Sequence, residues 1–198
     1  MSRFFFIRHG ESEKNLLGIN GGTGMRLTEN GILQVQRLIE SLKEQIEPTD
    51  PIKIHSSDTK QTIETSKIIA SNYNMDVSID DRLHPVGLGI IDGLSKKEIE
   101  EKYQKYAIIL NQWNNKEIDV TRFTIPGIEP PDQLWSRITD FLDDNSDEFT
   151  HVVVCTRSIM VMIKNFINGN TPASGNYTHQ SVNHCECVRF EYENGVVS

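Results

Sequence analysis

The sequence has no long apolar segment and few cysteines. No stretch of its 198 residues approaches the roughly 20 consecutive apolar residues that a membrane-spanning helix needs. The apolar run that follows Met1-Ser2-Arg3 is broken by Arg8 and His9, so it is too short for a secretory signal peptide. The cysteines number 3, an odd count that favours reduced thiols in a chain without an export signal. These features predict a cytoplasmic protein that does not contact membranes.

The sequence also lacks an excess of basic residues. Its formal net charge is −8, whereas general nucleic-acid binding depends on a basic face that neutralises phosphates. We therefore expect no nucleic-acid partner, although the composition is compatible with a local basic pocket. The lysines near Glu98, Glu100 and Glu101 are typical of a solvated helix face rather than of a binding patch.

Predicted strands and helices alternate along the chain, and this order is typical of a mostly parallel sheet with helices on both faces. The length and the 37% apolar content suit one domain, predicted over residues 1–198. A first helix should begin after Thr28 and end before Pro48, with Ile32 and Ile46 among its inward residues. Strands are predicted at about 3–7, 52–54, 77–79, 152–155 and 187–192. The last of these strands should lie at the edge of the sheet, before a turn at Asn194-Gly195. Further helices are predicted at 62–73, 107–113, 132–143 and 158–167, and a polar helix should begin at Ser95.

Two features point to a ligand site. Arg8-His9-Gly10-Glu11 directly follows the apolar strand, and residues at the carboxyl ends of such strands converge on one crevice. The segment 83–93 is rich in glycine and contains Pro85, which suits a loop that approaches a ligand closely. An imidazole can attack phosphorus and a guanidinium can bind phosphate, so phosphate chemistry is the first hypothesis.

Several separated blocks resemble the histidine phosphatase superfamily, in its phosphoglycerate-mutase-like branch, and the resemblance runs almost the whole length of the chain. The blocks are Arg8-His9-Gly10-Glu11-Ser12 with Asn15, Leu27-Thr28-Glu29-Asn30-Gly31 with Gln34, Ser56-Ser57-Asp58 with Thr62 and Thr65, Asp92-Gly93-Leu94-Ser95, Pro126-Gly127 with Glu129 and Arg137, and Val153-Val154-Cys155-Thr156. Because these blocks occur in the family's order, they are far more specific than one tetrapeptide.

The resemblance implies a three-layer α/β/α sandwich with a mostly parallel central sheet and a cap or specificity region at about 85–131. It also implies a mechanism without metal or cofactor. The histidine of the first block attacks a phosphomonoester and forms a phosphohistidine, two arginines and a second histidine hold the phosphoryl oxygens, and an acidic residue protonates the leaving oxygen.

The family's positions carry over to this chain only in part. His9 matches the nucleophile, Arg8 the first phosphate-binding arginine, and Asn15 a polar residue that reaches a phosphoryl oxygen. The second arginine falls on Gln61, the acid on Pro85 and the second histidine on Arg157. Gln61 can still donate hydrogen bonds but supplies no charge, Pro85 cannot donate a proton, and Arg157 can still bind phosphate at the start of a helix.

These departures predict a phosphate-binding pseudophosphatase with impaired or no turnover, whose ligand is inorganic phosphate or a small phosphorylated molecule. A catalytically inert member could instead serve a protein partner. The alternative is an active hydrolase or phosphotransferase that works through phospho-His9 with Arg8, Gln61 and Arg157 as an altered set of phosphate ligands. Asp80, Asp81 or Asp92 could be displaced into the acid's place, and His84 could supply an imidazolium.

A third hypothesis is metal binding near the C-terminus through His179, His184, Cys185 and Cys187. Structural zinc ligands usually come as two spaced pairs, which this cluster lacks, so a strand with inward thiols and histidines at its mouth is favoured. His55 and His151 are interpreted as ordinary surface or capping residues. Trp113 and Trp135 are expected to cover the crevice.

Overall fold

The computed structural model of the protein describes residues 1–193 and 195–197, which form a six-stranded sheet flanked by helices. The strands are β1 (Ser2–Arg8), β2 (Ile52–Ser56), β3 (Val77–Ile79), β4 (Thr150–Cys155), β5 (Cys187–Glu193) and β6 (Val196–Val197). The helices are α1 (Glu13–Leu16), α2 (Glu29–Lys43), α3 (Lys60–Tyr73), α4 (Lys96–Lys102), α5 (Gln104–Asn114), α6 (Pro131–Asp144) and α7 (Arg157–Ile167). None of the helices in this part of the chain is long and apolar enough to cross a membrane.

The strand order is β3-β2-β4-β1-β5-β6, and the first four strands in this order run parallel to one another. β5 is antiparallel to β1, so the sheet is mostly parallel, as the sequence predicts. The prediction that β5 forms the edge is wrong, because β6 pairs outside it through Glu193 and Val196. Of the predicted turn, Gly195 is described, whereas Asn194 lies outside the described residues.

The two faces of β1 bury alternate side chains against different helices. Phe4 and Phe6 pack with α6 and α7, while Phe5 and Ile7 pack with α2 and α3. All four side chains are fully buried, since this strand is covered on both faces. The three-layer α/β/α arrangement is thereby confirmed, and the continuous apolar run Phe4-Phe5-Phe6-Ile7 is explained.

The helix boundaries differ from the predicted ones by a few residues. Thr28 caps α2 as expected, with its side chain accepting a hydrogen bond from the Gly31 backbone N–H. The helix nevertheless ends at Lys43, well before Pro48, and Ile32 is 39% exposed rather than inward. α3 begins at Lys60, two residues before the predicted start, and the hydroxyl of Thr62 lies 2.8 Å from the Thr59 carbonyl in its first turn.

The interpretation of His55 and His151 as surface residues is wrong. They lie on neighbouring strands, are 7% and 0% exposed, and their Nε2 and Nδ1 atoms are 3.0 Å apart. Nε2 of His151 donates to Asp147 at 2.8 Å, and Asp147 also binds Nζ of Lys53 at 2.7 Å. The hydrogen bonds therefore form one continuous network, in which Asp147 accepts from His151 and the other ring nitrogen of His151 pairs with His55. This network satisfies the polar atoms of both buried imidazoles that take part in it.

The region between β3 and α6 has its own small apolar cluster, formed by Ile91, Ile99, Ala107 and Ile125. Segment 83–93 is not wholly irregular, since Asp81–Leu83 and Gly89–Ile91 form short 3₁₀ turns. Gly89 has φ +59°, and a Cβ there would lie 2.1 Å from the carbonyl oxygen of Pro126. Close backbone contact between these two segments therefore requires glycine. The solvated lysine and glutamate face predicted for α4 is present, with exposed pairs such as Lys97 and Glu101.

Candidate functional site

The backbone at the end of β1 is fixed by its two neighbouring strands. The His9 N–H donates to the Cys155 carbonyl at 3.1 Å, and the Arg8 N–H donates to the Glu186 carbonyl at 3.0 Å. The Arg8 carbonyl in turn accepts from the Cys185 N–H at 3.0 Å. The carboxyl ends of β1 and β4 and the segment before β5 therefore meet around His9, as expected for ligand sites in open α/β sheets.

The turn after His9 packs tightly against the start of α2. A Cβ on Gly10 would lie 2.7 Å from the Gly31 carbonyl oxygen, and a Cβ on Gly31 would lie 2.0 Å from the Glu11 carbonyl oxygen. The Gly10 N–H donates to Oγ1 of Thr65 at 3.2 Å. Both glycines therefore permit the close approach that fixes the position of the imidazole.

The His9 ring has a defined tautomer. Its Nδ1 lies 2.7 Å from the Gly10 carbonyl, which can only accept, so Nδ1 carries the proton and Nε2 keeps its lone pair. Burial is the main reason that the pKa of His9 falls to about 3, and the charge of Arg8 lowers it further. His9 is thus neutral at physiological pH, which is the state that a nitrogen nucleophile needs.

Arg8 lies beside this ring and is held from two sides. Its Nη1 donates to the Val182 carbonyl at 2.7 Å, and its Nη2 lies 3.0 Å from Nε2 of His184. The buried Nε atom has no hydrogen-bond partner in the described part of the chain. Burial and the nearby charge of Arg157 lower the pKa of Arg8 to about 10, so the side chain stays positive at neutral pH.

Arg157 is the first residue of α7, and it forms no salt bridge or hydrogen bond through its side chain to any described residue. Burial within the pocket lowers its pKa, although the residue as a whole remains in contact with solvent. A guanidinium without a counter-ion beside a second arginine and a helix N-terminus is an environment that favours an anion.

One cavity of about 520 Å³ brings together the site residues predicted from the sequence. Its lining includes Arg8, His9, Asn15, Gln61, Pro85 and Arg157. Oδ1 of Asn15 accepts from the Ser12 backbone N–H at 3.0 Å, so the amide group has a fixed orientation. Oε1 of Gln61 accepts from the Met25 N–H at 3.2 Å, and a Cβ on Gly24 would lie only 1.9 Å from it.

The sequence indicates His184 only as a candidate metal ligand, whereas the structure places it beside Arg8 and His9. Its ring centroid lies 6.1 Å from that of His9, and its Nε2 also lies 3.1 Å from Oδ1 of Asn15. Burial, followed by the charge of Arg8, lowers its pKa to about 4, so this imidazole is neutral at physiological pH. The available sequence signal was its place just before β5, since that segment also contacts the end of β1.

The carboxylates that line the cavity are all engaged. Glu129 receives two hydrogen bonds from Arg137, at 2.7 and 3.0 Å, and Glu100 lies 3.8 Å from Lys96. The displaced acids considered from the sequence do not line this cavity: Asp80 is paired with Arg82, Asp81 lies in a short turn, and Asp92 accepts from the Gly22 N–H. His84 is likewise paired with Asp58, at 2.8 Å, outside the cavity.

The residues of the metal hypothesis have other surroundings. Cys185 and Cys187 pack against the apolar cluster between the sheet and α2, and His179 packs edge-on against Trp113. In the described part of the chain, no three His, Cys, Asp or Glu side chains are placed to hold a metal ion. Trp113 lines the cavity as expected, but Trp135 does not, because it packs against Phe166 at 5.4 Å.

The protein is therefore an α/β sandwich with a basic pocket at the carboxyl ends of its parallel strands, where a neutral imidazole lies among arginines. Residues 4–198 match the histidine phosphatase superfamily (branch 1), and the chain belongs to that family. The family predicted from the sequence blocks is confirmed.

Similar proteins include mutases and phosphatases. The chain is 38% identical over 94 residues to a 2,3-bisphosphoglycerate-dependent phosphoglycerate mutase of Thermoplasma acidophilum, a match that covers 46% of this chain and 45% of that protein. The structure superimposes on Bacillus stearothermophilus YhfR with a TM-score of 0.82 at 17% identity, covering 100% of this chain and 95% of that one. A putative alpha-ribazole-5'-P phosphatase from Escherichia coli gives 0.76 at 18% identity, covering 100% of this chain and 94% of that one. The matched regions span less than half the length of the curated relatives.

Proposed function

We propose that this chain binds inorganic phosphate or a small phosphomonoester at His9, and that it turns over alkyl phosphates very slowly or not at all. The observation that carries the proposal is the composition of the pocket. Arg8, Arg157 and the neutral His9 are suited to bind a phosphoryl group, whereas Glu129 and Glu100, the carboxylates of the lining, are paired with cations. No carboxylic acid of the lining is therefore placed to protonate a leaving alkoxide.

The cost in rate follows from known magnitudes. Loss of a general acid lowers a rate by about 10²–10⁴, and loss of one charge-stabilising donor lowers it by about 10²–10³. The effects of residues that act as a unit do not multiply, so the combined cost is less than their product. The replacements at Gln61 and Pro85 are nevertheless enough to make hydrolysis of an alkyl phosphate slow.

A second candidate function is phosphoryl transfer from esters with good leaving groups. The free lone pair on Nε2 of His9 favours it. In this reaction the lone pair forms an N–P bond while the P–O bond breaks, and the leaving oxygen departs with the electron pair and needs no acid. Water then attacks phosphorus, the P–N bond breaks, and phosphate and neutral His9 are restored.

The test compares binding and turnover in one preparation. Titration calorimetry with inorganic phosphate should show binding, and glycerol 3-phosphate should be hydrolysed at a rate near background. With p-nitrophenyl phosphate, acid-labile phosphate on His9 would support the second candidate, and the variant His9→Ala should abolish it. Rapid hydrolysis of glycerol 3-phosphate that is lost in His9→Ala, or an absence of phosphate binding, would overturn the proposal.

A further inference from the structure

The cavity extends well beyond the phosphate ligands into an apolar chamber. The chamber is lined by Leu110, Trp113, Phe123, Leu134, Val161 and Tyr177. The last three are 6%, 5% and 4% exposed and belong to the main core, so their wall is firmly packed. A cavity of about 520 Å³ is far larger than a phosphate ion requires.

Aromatic rings shape one side of the chamber. The ring of Trp113 lies 5.2 Å from that of Phe123 and 6.3 Å from that of Tyr177, with which it is nearly parallel at 23°. Flat, rigid walls of this kind favour an inserted ring in offset or edge-on contact. The apolar character and the flat shape of the walls therefore suit the same kind of guest.

The positive charges of the lining are concentrated at the phosphate end. The charge of Arg157 lowers the pKa of Arg8 and of Lys14, so both of these cations lie near Arg157. The remaining cation of the lining, Lys96, faces Glu100 at 3.8 Å. Among the lining residues the chamber itself therefore offers no unpaired cation to a second phosphate or to a carboxylate.

His179 lies between the two ends of the cavity. Its pKa is lowered by burial and by the charge of Arg157, which puts it near the phosphate end, while its ring meets Trp113 edge-on at 6.0 Å. Its Nε2 is buried and has no hydrogen-bond partner among the described residues. A buried polar atom without a partner is costly, so a ligand that supplied one would gain affinity.

We propose that the pocket accepts the phosphomonoester of a phenol, with the phosphoryl group at His9, the ring in the apolar chamber and a polar ring substituent within reach of His179. This inference rests on the proposed function, because the phosphoryl end of the ligand is the anion bound there. It sets the chain apart from a site for phosphorylated glycerate or sugars, whose organic part is polar. A phenol also leaves as a phenolate, a much weaker base than an alkoxide, and so needs less help from an acid, in keeping with proline at position 85.

Phosphonates test the inference without interference from hydrolysis. Titration calorimetry would compare benzylphosphonate and 1-naphthylmethylphosphonate with 3-hydroxypropylphosphonate and inorganic phosphate. We expect benzylphosphonate to bind at least about tenfold more tightly than the hydroxypropyl compound, with the naphthyl compound tighter still. Equal affinities for benzylphosphonate and 3-hydroxypropylphosphonate, or tighter binding of the hydroxypropyl compound, would overturn the aromatic assignment. The proposed function would still stand in that case if inorganic phosphate binds. Absence of binding by all four ligands would refute both.

A pair of variants on α5 locates the ring. Leu110→Gln changes the chamber wall, whereas Ile108→Gln changes a side chain on the same helix that is 54% exposed and outside the cavity. Leu110→Gln should weaken benzylphosphonate binding by about fivefold and leave inorganic phosphate unchanged, and Ile108→Gln should alter neither. Phe123→Leu, which keeps the wall apolar, should lose affinity for the naphthyl compound and retain its fold. An undiminished aromatic advantage in both chamber variants would show that the ring does not occupy the chamber.

Discussion

Nε2 of His184 lies 3.0 Å from Nη2 of Arg8 and 3.1 Å from Oδ1 of Asn15. Arg8 can only donate, and Oδ1 of Asn15 acts as an acceptor because it already receives the Ser12 backbone N–H. A ring nitrogen carries either a proton or a lone pair, so it can satisfy one of these neighbours at a time. His184 therefore lies between two competing contacts, and an anion bound beside it can favour one of them.

Anion binding should be coupled to protonation of His184. Burial and the charge of Arg8 lower its pKa from the ordinary 6.5 to about 4, and a dianion bound beside it would raise that pKa. At a pH between the pKa of His184 in the free protein and its higher pKa in the complex, His184 is protonated only in the complex. The affinity for the anion therefore rises as the pH falls. Sulfate, which does not titrate in this range, should bind up to about tenfold more tightly per pH unit.

The control for this prediction compares two histidine variants by calorimetry across the same pH range. His184→Gln removes the titrating group and should flatten the pH dependence. His84→Gln alters an exposed histidine that is paired with Asp58 outside the cavity, and it should leave the slope unchanged. A slope that persists in His184→Gln would show that another group takes up the proton.

The buried pair of His55 and His151 should make the fold acid-sensitive. Burial and the adjacent His151 lower the pKa of His55 to about 4, and burial also lowers that of His151. Both histidines are neutral in the folded state and bind protons when unfolded below pH 6.5, so stability is full above 6.5 and falls toward pH 4. Each contributes up to about 1.4 kcal/mol per pH unit to the slope of the unfolding free energy.

Urea unfolding at several pH values between 7 and 4.5 would measure this slope. Burial alone would raise the pKa of Asp147, but hydrogen bonds from Lys53, the Phe149 N–H and His151 lower it to about 2, so this carboxylate does not titrate in the window. His9 and His184 add slopes of the same sign. His55→Leu should therefore reduce the slope without removing it. Equal slopes in wild type and His55→Leu would contradict the assignment.

Local patterns predict the structure correctly in two places: the apolar run before Arg8 and His9 is a buried strand, and Thr28 caps the start of α2. Features that depend on residues distant in the sequence were predicted wrongly. β6 is only Val196–Val197, too short to show alternation, so the position of β5 inside the sheet was not visible. His55 was read as a surface residue because its partner, His151, is 96 positions away.

In the site, too, the residues that belong to sequence motifs were predicted, whereas those that depend on tertiary contacts were not. Arg8, Asn15, Gln61, Pro85 and Arg157 were located through the spacing of sequence blocks, and the structure places all of them on one cavity. His184 belongs to a segment that the topology brings beside β1 across 176 positions, and no motif marks that contact. The apolar chamber combines α5, α6, α7 and the segment around Tyr177, so its existence depends on tertiary packing alone.

Gly31→Ala should destabilise the protein by about 1–3 kcal/mol, because the new Cβ would lie 2.0 Å from the Glu11 carbonyl oxygen. The clash is with backbone, so a side-chain rotation cannot relieve it, and the turn carrying His9 must shift. Gly87→Ala is a matched control, since its Cβ would lie 3.7 Å from Cβ of Glu129, an ordinary contact. Thermal unfolding of both variants gives the comparison, and an unchanged melting temperature for Gly31→Ala would show that α2 can move away.

Restoring the family's residues should restore turnover of alkyl phosphates. Pro85 already lines the cavity, and the Val86 N–H donates to Oγ of Ser158 at 3.2 Å. This hydrogen bond holds the backbone next to position 85 in place, so the side chain of a glutamate there should also reach the cavity. The triple variant Gln61→Arg, Pro85→Glu and Arg157→His should hydrolyse glycerol 3-phosphate about 10² times faster than wild type or more. Pro85→Glu alone should raise the rate on glycerol 3-phosphate more than on p-nitrophenyl phosphate, because only the alkoxide needs a proton.

The control for this prediction is Pro126→Glu, which adds the same charge on an exposed loop outside the cavity and should leave both rates unchanged. Phosphate binding measured on each variant separates a lost site from a site that binds without turnover. A triple variant that folds, binds phosphate and is no faster than wild type would show that the missing acid and arginine do not limit the reaction. The constraint would then lie in how the backbone holds His9 toward the phosphoryl group, since Gly10 and Gly31 fix that position independently of the three replaced side chains.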